Sequence, residues 1–145
     1  MEELSTIKEL NQWMEANCYN DGYAIGDRVV HEGCGLEKLG DTFVWFYTER
    51  GTKQTLNVFN TEKEAVRFAL HEIKLDKSAN RHLVGFLKSK SSESELVREL
   101  ERRNIKCWTD KIPFGGPNDP RYRVFVFGCD IRLVKDLEEQ YGKFK

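Results

Sequence analysis

The hairpin that decides the fold reads Thr42-Phe43-Val44-Trp45-Phe46-Tyr47-Thr48, then Glu49-Arg50-Gly51-Thr52, then Gln54 to Phe59. The first segment is aromatic or β-branched at every position, which favours a central strand of a sheet. Glycine in the second segment can adopt the positive φ angle that a tight turn requires. The third segment returns as the partner strand, so the fold is built around an antiparallel strand pair.

Helical patterns lie on both sides of this hairpin. Apolar residues recur at intervals of about three and four from Glu2 to about Cys18, which predicts an amphipathic helix. The sequence Thr61-Glu62-Lys63-Glu64 has the form of a capping box and begins a second helix. A second capping box, Ser92-Glu93-Ser94-Glu95, begins a third helix, and we expect Asp130 to cap a fourth.

The remaining strands are predicted at Asp27–His31, His82–Leu87, Ile105–Asp110 and Arg121–Phe127, with turns at Gly33-Cys34-Gly35 and Gly40-Asp41. The resulting order is α-β-β-β-α-β-α-β-β-α. It predicts the α+β class, with helices packed on a single mixed or antiparallel sheet. From His82 onward the order β-α-β-β-α matches most of a split ferredoxin-like unit. The chain has 145 residues, the usual size of one domain, so we expect one α+β domain over residues 1–145.

Charge and hydropathy exclude some classes of function. The chain carries 23 basic and 24 acidic residues, and this near-balance argues against a dedicated nucleic-acid binder, although a local basic patch stays possible. No apolar run approaches the ~20 residues of a membrane helix, so we expect no membrane partner. The first residues, Met1 to Ser5, do not form a secretion signal, and we therefore expect a cytoplasmic protein.

Candidate catalytic residues are few. Cys34 lies between two glycines with His31 three residues earlier, and a Cys–His pair can activate a thiolate. Residues so close in sequence seldom bring their side chains together, so we favour a small apolar residue in a tight turn. His31-x-x-Cys34 could be half of a zinc site, but no second close pair completes it, and His71 and His82 are interpreted as ordinary surface or core residues. We expect no catalytic residue, no metal and no cofactor.

One segment has the features of an exposed binding loop. Pro113 to Pro120 contains all three prolines of the chain together with the pair Gly115-Gly116, so it is both stiffened and bent. A stiff loop loses little entropy when a partner binds. The alternative is a wide hairpin that only joins two strands, and the sequence leaves both possibilities open.

A family resemblance is carried by three segments, Trp45–Gly51, Phe59–Val66 and Gly115–Gly128. Together they resemble small immunity proteins of bacterial polymorphic toxin systems, in particular those encoded beside LXG-type toxins of Gram-positive bacteria. The resemblance spans about Tyr23 to Ile131. It implies a cytoplasmic antitoxin that binds the C-terminal toxic domain of a cognate toxin, often a nuclease, and blocks its active site or an exosite. It implies no catalytic residue and no defined contact motif.

The contact residues are therefore a hypothesis from the sequence itself. Polar and charged side chains on constrained turns beside aromatic strands can pair with complementary charge on a partner and speed association. We expect the toxin to contact the tip of the hairpin and the region that runs from the end of the proline-rich loop into the strand after it. The residues are Glu49, Arg50, Asn118, Asp119, Arg121 and Arg123.

Two other classes of function stay open, and the first is a regulatory or RNA-binding module that uses the sheet of residues 82–127. Arginine and aromatic residues alternate from Arg121 to Phe127, and a sheet formed by residues 82–127 could present stacking rings to single-stranded RNA. In the opposing interpretation one face of this sheet is core and the arginines lie at its rim. The third class is a small enzyme that uses Cys34 or a histidine, and it predicts that replacing Cys34 with serine abolishes an activity.

Overall fold

The structure, a computed structural model, describes residues 3–142. It combines helices with strands, so the predicted α+β class is confirmed. The prediction of a single sheet is wrong, because the strands form a four-stranded sheet and a separate three-stranded sheet. The chain divides into two compact units, Met1–Ala79 and Asn80–Lys145, and each unit is described by itself. The assignment of residues 1–145 to one domain stays a prediction.

The first unit contains two helices and the four-stranded sheet. Its elements are α1 Ile7–Ala16, β1 Ala24–Ile25, β2 Glu32–Leu39, β3 Thr42–Glu49, β4 Thr52–Phe59 and α2 Glu62–Leu75. The strands lie in the order β1-β2-β3-β4, with β1 parallel to β2 and the other pairs antiparallel. The predicted hairpin is confirmed. Arg50 and Gly51 join its strands with φ angles of 51° and 82°, and a two-residue turn of this kind needs positive φ at both positions.

Strand β2 differs from the sequence prediction. The strand predicted at Asp27–His31 is wrong, because those residues form a turn and irregular structure. The predicted turn around Cys34 is also wrong, because Glu32–Leu39 pairs with β3 in continuous register. A Cβ on Gly35 would lie 2.6 Å from both the Ala24 carbonyl oxygen and the Phe46 ring. Glycine at position 35 therefore lets the Ala24 backbone and the Phe46 ring come close to β2. Because glycine has no side chain, it also interrupts the alternation of apolar residues by which a strand is recognised in the sequence.

Both helices of the first unit belong to one core cluster with the sheet. Leu10 and Met14 of α1 and Val66 of α2 are fully buried in this cluster. Trp45 of β3 is buried in it too and packs edge-on against Phe68 at 5.7 Å between ring centroids. Burying a large apolar side chain contributes about 1.5–3 kcal/mol, so this cluster holds the helices on one face of the sheet.

The helix ends follow the capping predictions in part. Thr61 caps α2 as predicted, since its hydroxyl accepts from the Glu64 backbone N–H at 3.2 Å. Helix α3, Lys90–Arg102, begins one turn earlier than predicted, because Ser89 rather than Ser92 is its N-cap. The expectation that Asp130 caps the last helix is wrong. Residues Gly128–Leu133 form a 3₁₀ helix, and α4, Lys135–Tyr141, starts after it without a side-chain cap.

The second unit contains the three-stranded sheet, with β5 Arg81–Leu87, β6 Cys107–Ile112 and β7 Arg121–Phe127. The strand order is β5-β7-β6, and β7 is antiparallel to both neighbours. Consecutive strands β5 and β6, linked by α3, therefore run parallel with β7 between them. This is the split β-α-β arrangement that the sequence predicts from His82 onward.

The two faces of the three-stranded sheet differ. Val124 and Val126 belong to a buried cluster with Leu96 and Leu100 of α3, so this face carries the helices. Side chains alternate along a strand, which places Arg121, Arg123 and Phe125 on the opposite face. Within this unit, that opposite face is not part of the helix-packed cluster.

The described helices are short. The longest, α2, has 14 residues, whereas a membrane-spanning helix needs about 20 apolar residues. None of the helices in residues 3–142 is long and apolar enough to cross a membrane.

Candidate functional site

The proline-rich loop between β6 and β7 is closed by its own backbone hydrogen bonds. The Gly115 N–H donates to the Asp119 carbonyl at 2.9 Å, and the Asp119 N–H donates back to the Gly116 carbonyl at 3.0 Å. Gly116 has a φ angle of 100°, a left-handed value that favours glycine. Proline at both ends limits φ further. The loop therefore has one well-defined conformation, although most of its residues are exposed.

A buried arginine supports this loop. Arg121 is only 9% exposed. Its guanidinium donates to the Asp119 carboxylate at 2.7 Å and to the Pro120 carbonyl at 3.0 Å. The same group lies 4.9 Å from the centroid of the Phe114 ring, a cation–π contact. Arg121 is thus an internal support of the loop, and its direct contact with a partner stays a prediction.

Phe114 is the residue of this loop that the sequence analysis does not select. Its side chain is 52% exposed, yet its ring packs edge-on against Phe86 with 5.0 Å between centroids. The ring is therefore held from two sides, by Phe86 and Arg121, and stays accessible. A lone aromatic residue between proline and glycine, outside any alternating pattern, is the signal that could have identified it.

Arg123 is also engaged within the chain. It donates two hydrogen bonds to the Asp110 carboxylate across β6 and β7, one of them at 2.8 Å. These bonds lower the pKa of Asp110 and raise the pKa of Arg123, because each charge stabilises the other. Such a bidentate pair is geometrically specific. The charge of Arg123 is therefore largely neutralised by Asp110, which leaves it less available to a partner than the sequence alone predicts.

The remaining predicted contact residues are exposed. Asn118 lies at the outer end of the proline-rich loop, beside Asp119. Glu49 ends β3 and Arg50 forms the tip of the β3–β4 hairpin. Asn118, Asp119, Arg121 and Arg123 lie in the second unit, whereas Glu49 and Arg50 lie in the first.

The candidate nucleophile does not have the surroundings of an activated thiol. Cys34 is a free, partly buried thiol on β2 that packs against the core of the first unit. Burial, and secondarily the negative charge of Glu72, raise its pKa, which keeps the thiol protonated. Among the described residues, no group of three or more His, Cys, Asp or Glu side chains could hold a metal ion.

The face of the three-stranded sheet that lies opposite the α3 cluster carries an aromatic pair. Trp108 of β6 is 40% exposed, and its ring lies 5.5 Å from that of Phe125. The Arg81 guanidinium lies 4.6 Å from the Trp108 ring centroid and 4.9 Å from that of Phe125. This arrangement holds an indole ring in a fixed orientation near an arginine, so stacking of a planar group on Trp108 is geometrically possible.

Comparison of the chain with known protein families, with curated proteins and with solved structures finds no match.

Proposed function

We propose that this chain is an immunity-type inhibitor that binds the C-terminal toxic domain of a cognate bacterial toxin, possessing no catalytic function of its own. The observation that carries the proposal is the loop from Pro113 to Arg121, which is ordered by internal bonds before any partner is present. An inhibitor acts by occupying a surface of its target. The proposal therefore needs a rigid surface with a strong anchor, rather than reactive groups.

The loop has the physical properties of such a surface. Association is weakened by the entropy lost when loops and side chains become ordered, and a loop already fixed loses little. Binding energy at protein interfaces is concentrated in a few residues, with tryptophan, tyrosine and arginine favoured and aromatic residues enriched overall. Phe114 fits this role, because it is half exposed and its ring is held by Phe86 and Arg121.

Residues of the original hypothesis divide into two roles under this proposal. Arg50 and Asn118 are exposed and can contact the toxin directly. Arg121 and Arg123 are held by Asp119 and Asp110 and act by fixing the surface. The toxic domain is inhibited when the loop and its neighbouring side chains cover the active site or an exosite.

A growth-protection assay tests the proposal. The toxic domain encoded by the neighbouring gene is expressed in a bacterial host with the wild-type chain or with Phe114→Ala. Leu133→Ala is the matched control, because Leu133 is also a large exposed apolar residue of the second unit. We expect protection from the wild-type and control chains and reduced protection from Phe114→Ala. The proposal is wrong if the wild-type chain forms no complex with that domain and gives no protection.

A second candidate function, binding of single-stranded RNA, is favoured by one observation. Trp108, which is 40% exposed, packs beside the buried Phe125 ring with the Arg81 guanidinium near both, so Trp108 is the ring of this pair on which a base can stack. Bases stack on such rings, and each stacked base contributes about 1–3 kcal/mol. Pairing of Arg123 with Asp110 weakens the attraction for phosphates. A titration with oligouridylate at low salt, followed by tryptophan fluorescence, tests this candidate. RNA binding predicts a fluorescence change that is lost in Trp108→Ala, and unchanged fluorescence of the wild-type chain excludes it.

A further inference from the structure

The described strands include four that lie at the edge of a sheet, and three of them are unsuited to pairing with another chain. Strand β1 has two residues. Strand β4 is exposed but carries a bulge, because Trp45 pairs with Asn57 and Phe46 with Thr55, which leaves Leu56 unpaired. Strand β5 has a similar irregularity at Val84 and is packed by α4. Short edges, bulges and covering elements are the usual protections against strand addition.

Strand β6 has none of these three protections within the described part of the chain; its protective feature is charge, because an edge lysine such as Lys111 repels a basic segment but attracts an acidic one. Its six residues pair with β7 in uninterrupted register, from Cys107 opposite Val126 to Ile112 opposite Arg121. It contains neither glycine nor proline. The opposite edge of β6 is the outer edge of the sheet, where alternate residues direct their backbone N–H and C=O groups away from β7.

The exposed charge along this edge is positive. Lys106 and Lys111 are exposed, and among the described residues neither is seen in an ion pair, although the Lys111 ammonium lies 5.7 Å from the centroid of the Tyr122 ring. The acidic residue of the strand, Asp110, is already bound by Arg123. A segment that pairs with β6 therefore meets Lys111 on the strand and Lys106 directly before it, but no free carboxylate on the strand, which favours acidic side chains.

We propose that the outer edge of β6 takes up an extended, acidic segment of the partner protein as an added strand. The inference rests on the proposed function for the class of partner. Main-chain hydrogen bonds to β6 supply affinity, and alternate side chains supply specificity. On one face of the added strand an apolar residue can pack on Trp108, which is 40% exposed. On the other face an acidic residue can approach Lys111.

A second copy of this chain fits the same edge less well. Two identical β6 edges would bring the lysines of both copies together. A symmetric antiparallel pairing centred on Asp110 or on Lys111 would also place that residue opposite itself, and like charges directly opposite each other are destabilising. Charge therefore favours a foreign acidic segment over self-association.

Nuclear magnetic resonance titration of the full chain with synthetic peptides tests the proposal without the toxin. The probe is a peptide of alternating valine and glutamate, about ten residues long, enough to cover the whole strand. Two comparison peptides carry lysine in place of glutamate, or N-methyl groups throughout that remove the backbone donors. We expect saturable chemical-shift changes and slowed amide exchange at alternate β6 residues with the acidic peptide, and neither effect with the two comparison peptides.

A pair of double variants identifies the charges responsible. Lys106→Glu/Lys111→Glu should weaken binding of the acidic peptide by about tenfold, since exposed pairs each contribute modestly and repulsion replaces attraction. The matched control, Lys8→Glu/Lys38→Glu, changes two exposed lysines of the first unit and should leave binding unchanged.

Three results would overturn the inference. One is the absence of any β6 shift at millimolar acidic peptide, and another is equal binding of the N-methylated peptide. The third is a concentration-dependent dimer with protected β6 amides and no peptide, which would assign the edge to a second copy. If the acidic peptide does not bind to β6 but the complex with the toxin forms, the strand-addition site is wrong while the proposed function stands.

Discussion

Replacing Arg121 with alanine tests whether a buried cation fixes the proline-rich loop. The change removes the hydrogen bonds to the Asp119 carboxylate at 2.7 Å and to the Pro120 carbonyl at 3.0 Å. It also removes the contact with the Phe114 ring. The carboxylate is 58% exposed, so its ion pair is screened and contributes only about 0.5 kcal/mol. The charge-assisted bond to the partly buried Pro120 carbonyl contributes about 1.5 kcal/mol and the ring contact about 0.5 kcal/mol.

These contributions predict that Arg121→Ala lowers the free energy of unfolding by about 2–3 kcal/mol. Denaturant-induced unfolding measures this change. Amide exchange gives the local readout, because the backbone N–H groups of Gly115 and Asp119 close the loop. We expect both amides to exchange faster in the variant. Arg121→Lys should recover only part of the loss, since an ammonium lacks the planar fork of a guanidinium.

Arg132→Ala is the matched control, because Arg132 is an exposed arginine of the same unit. Surface substitutions of this kind usually change stability by less than about 0.5 kcal/mol. If Arg121→Ala behaves like this control, with unchanged exchange at Gly115 and Asp119, the reasoning about the loop is refuted.

Three further outcomes follow from the structure. Hydrogen bonds from Arg102 and Arg103 lower the pKa of Glu99 to about 2, and a hydrogen bond from Arg103 lowers the pKa of Asp136 to about 2, so stability should fall as pH drops from about 4.5 towards 2. Arg103→Ala should flatten this acid dependence in part, because Arg102 still binds Glu99; an unchanged slope in pH-dependent unfolding would contradict it. Gly35→Ala should lower the free energy of unfolding in denaturant by about 1–3 kcal/mol, because the new Cβ would lie 2.6 Å from the Ala24 carbonyl oxygen and from the Phe46 ring. A variant as stable as the wild type would contradict this and show that the sheet can relax. In the folded protein Cys34 should react slowly with iodoacetamide, because burial raises the pKa of its thiol; mass spectrometry measures the rate of labelling. Rapid labelling of the folded protein would restore Cys34 as a candidate nucleophile.

The sequence predicts those parts of the fold whose local pattern agrees with their packing. The β3–β4 hairpin is an example, since Thr42–Thr48 is rich in strand-forming residues and Gly51 allows the turn. Strand β7 and the cap at Thr61 are equally local signals. Strand β2 could not be recognised in this way. Gly35 allows close contacts with Ala24 and Phe46, and those contacts exist only in the folded sheet.

The division into two sheets could not be read from the order of elements. Strand β4 is followed by α2 and then β5, an order that suits either one sheet or two. Which strands pair is settled by register and packing across long sequence separations, for which the sequence carries no local signal.

The candidate site shows the same limit. The loop from Pro113 to Pro120 is evident from its prolines and glycines. The roles of Arg121 and Arg123 are not, because an exposed and a buried arginine look alike in sequence. Asp110 becomes identifiable as the partner of Arg123 only when the register of β6 and β7 is known, and Asp119 as the partner of Arg121 only when the conformation of the loop is known.

The central claim is that this chain acts by binding a protein through a preformed surface. Calorimetric titration with the toxic domain encoded by the neighbouring gene measures this directly. We predict an equimolar complex with a dissociation constant in the nanomolar range, weakened by about tenfold or more in Phe114→Ala. Absence of any binding heat from a folded chain, or an affinity that is the same in Phe114→Ala, would contradict it.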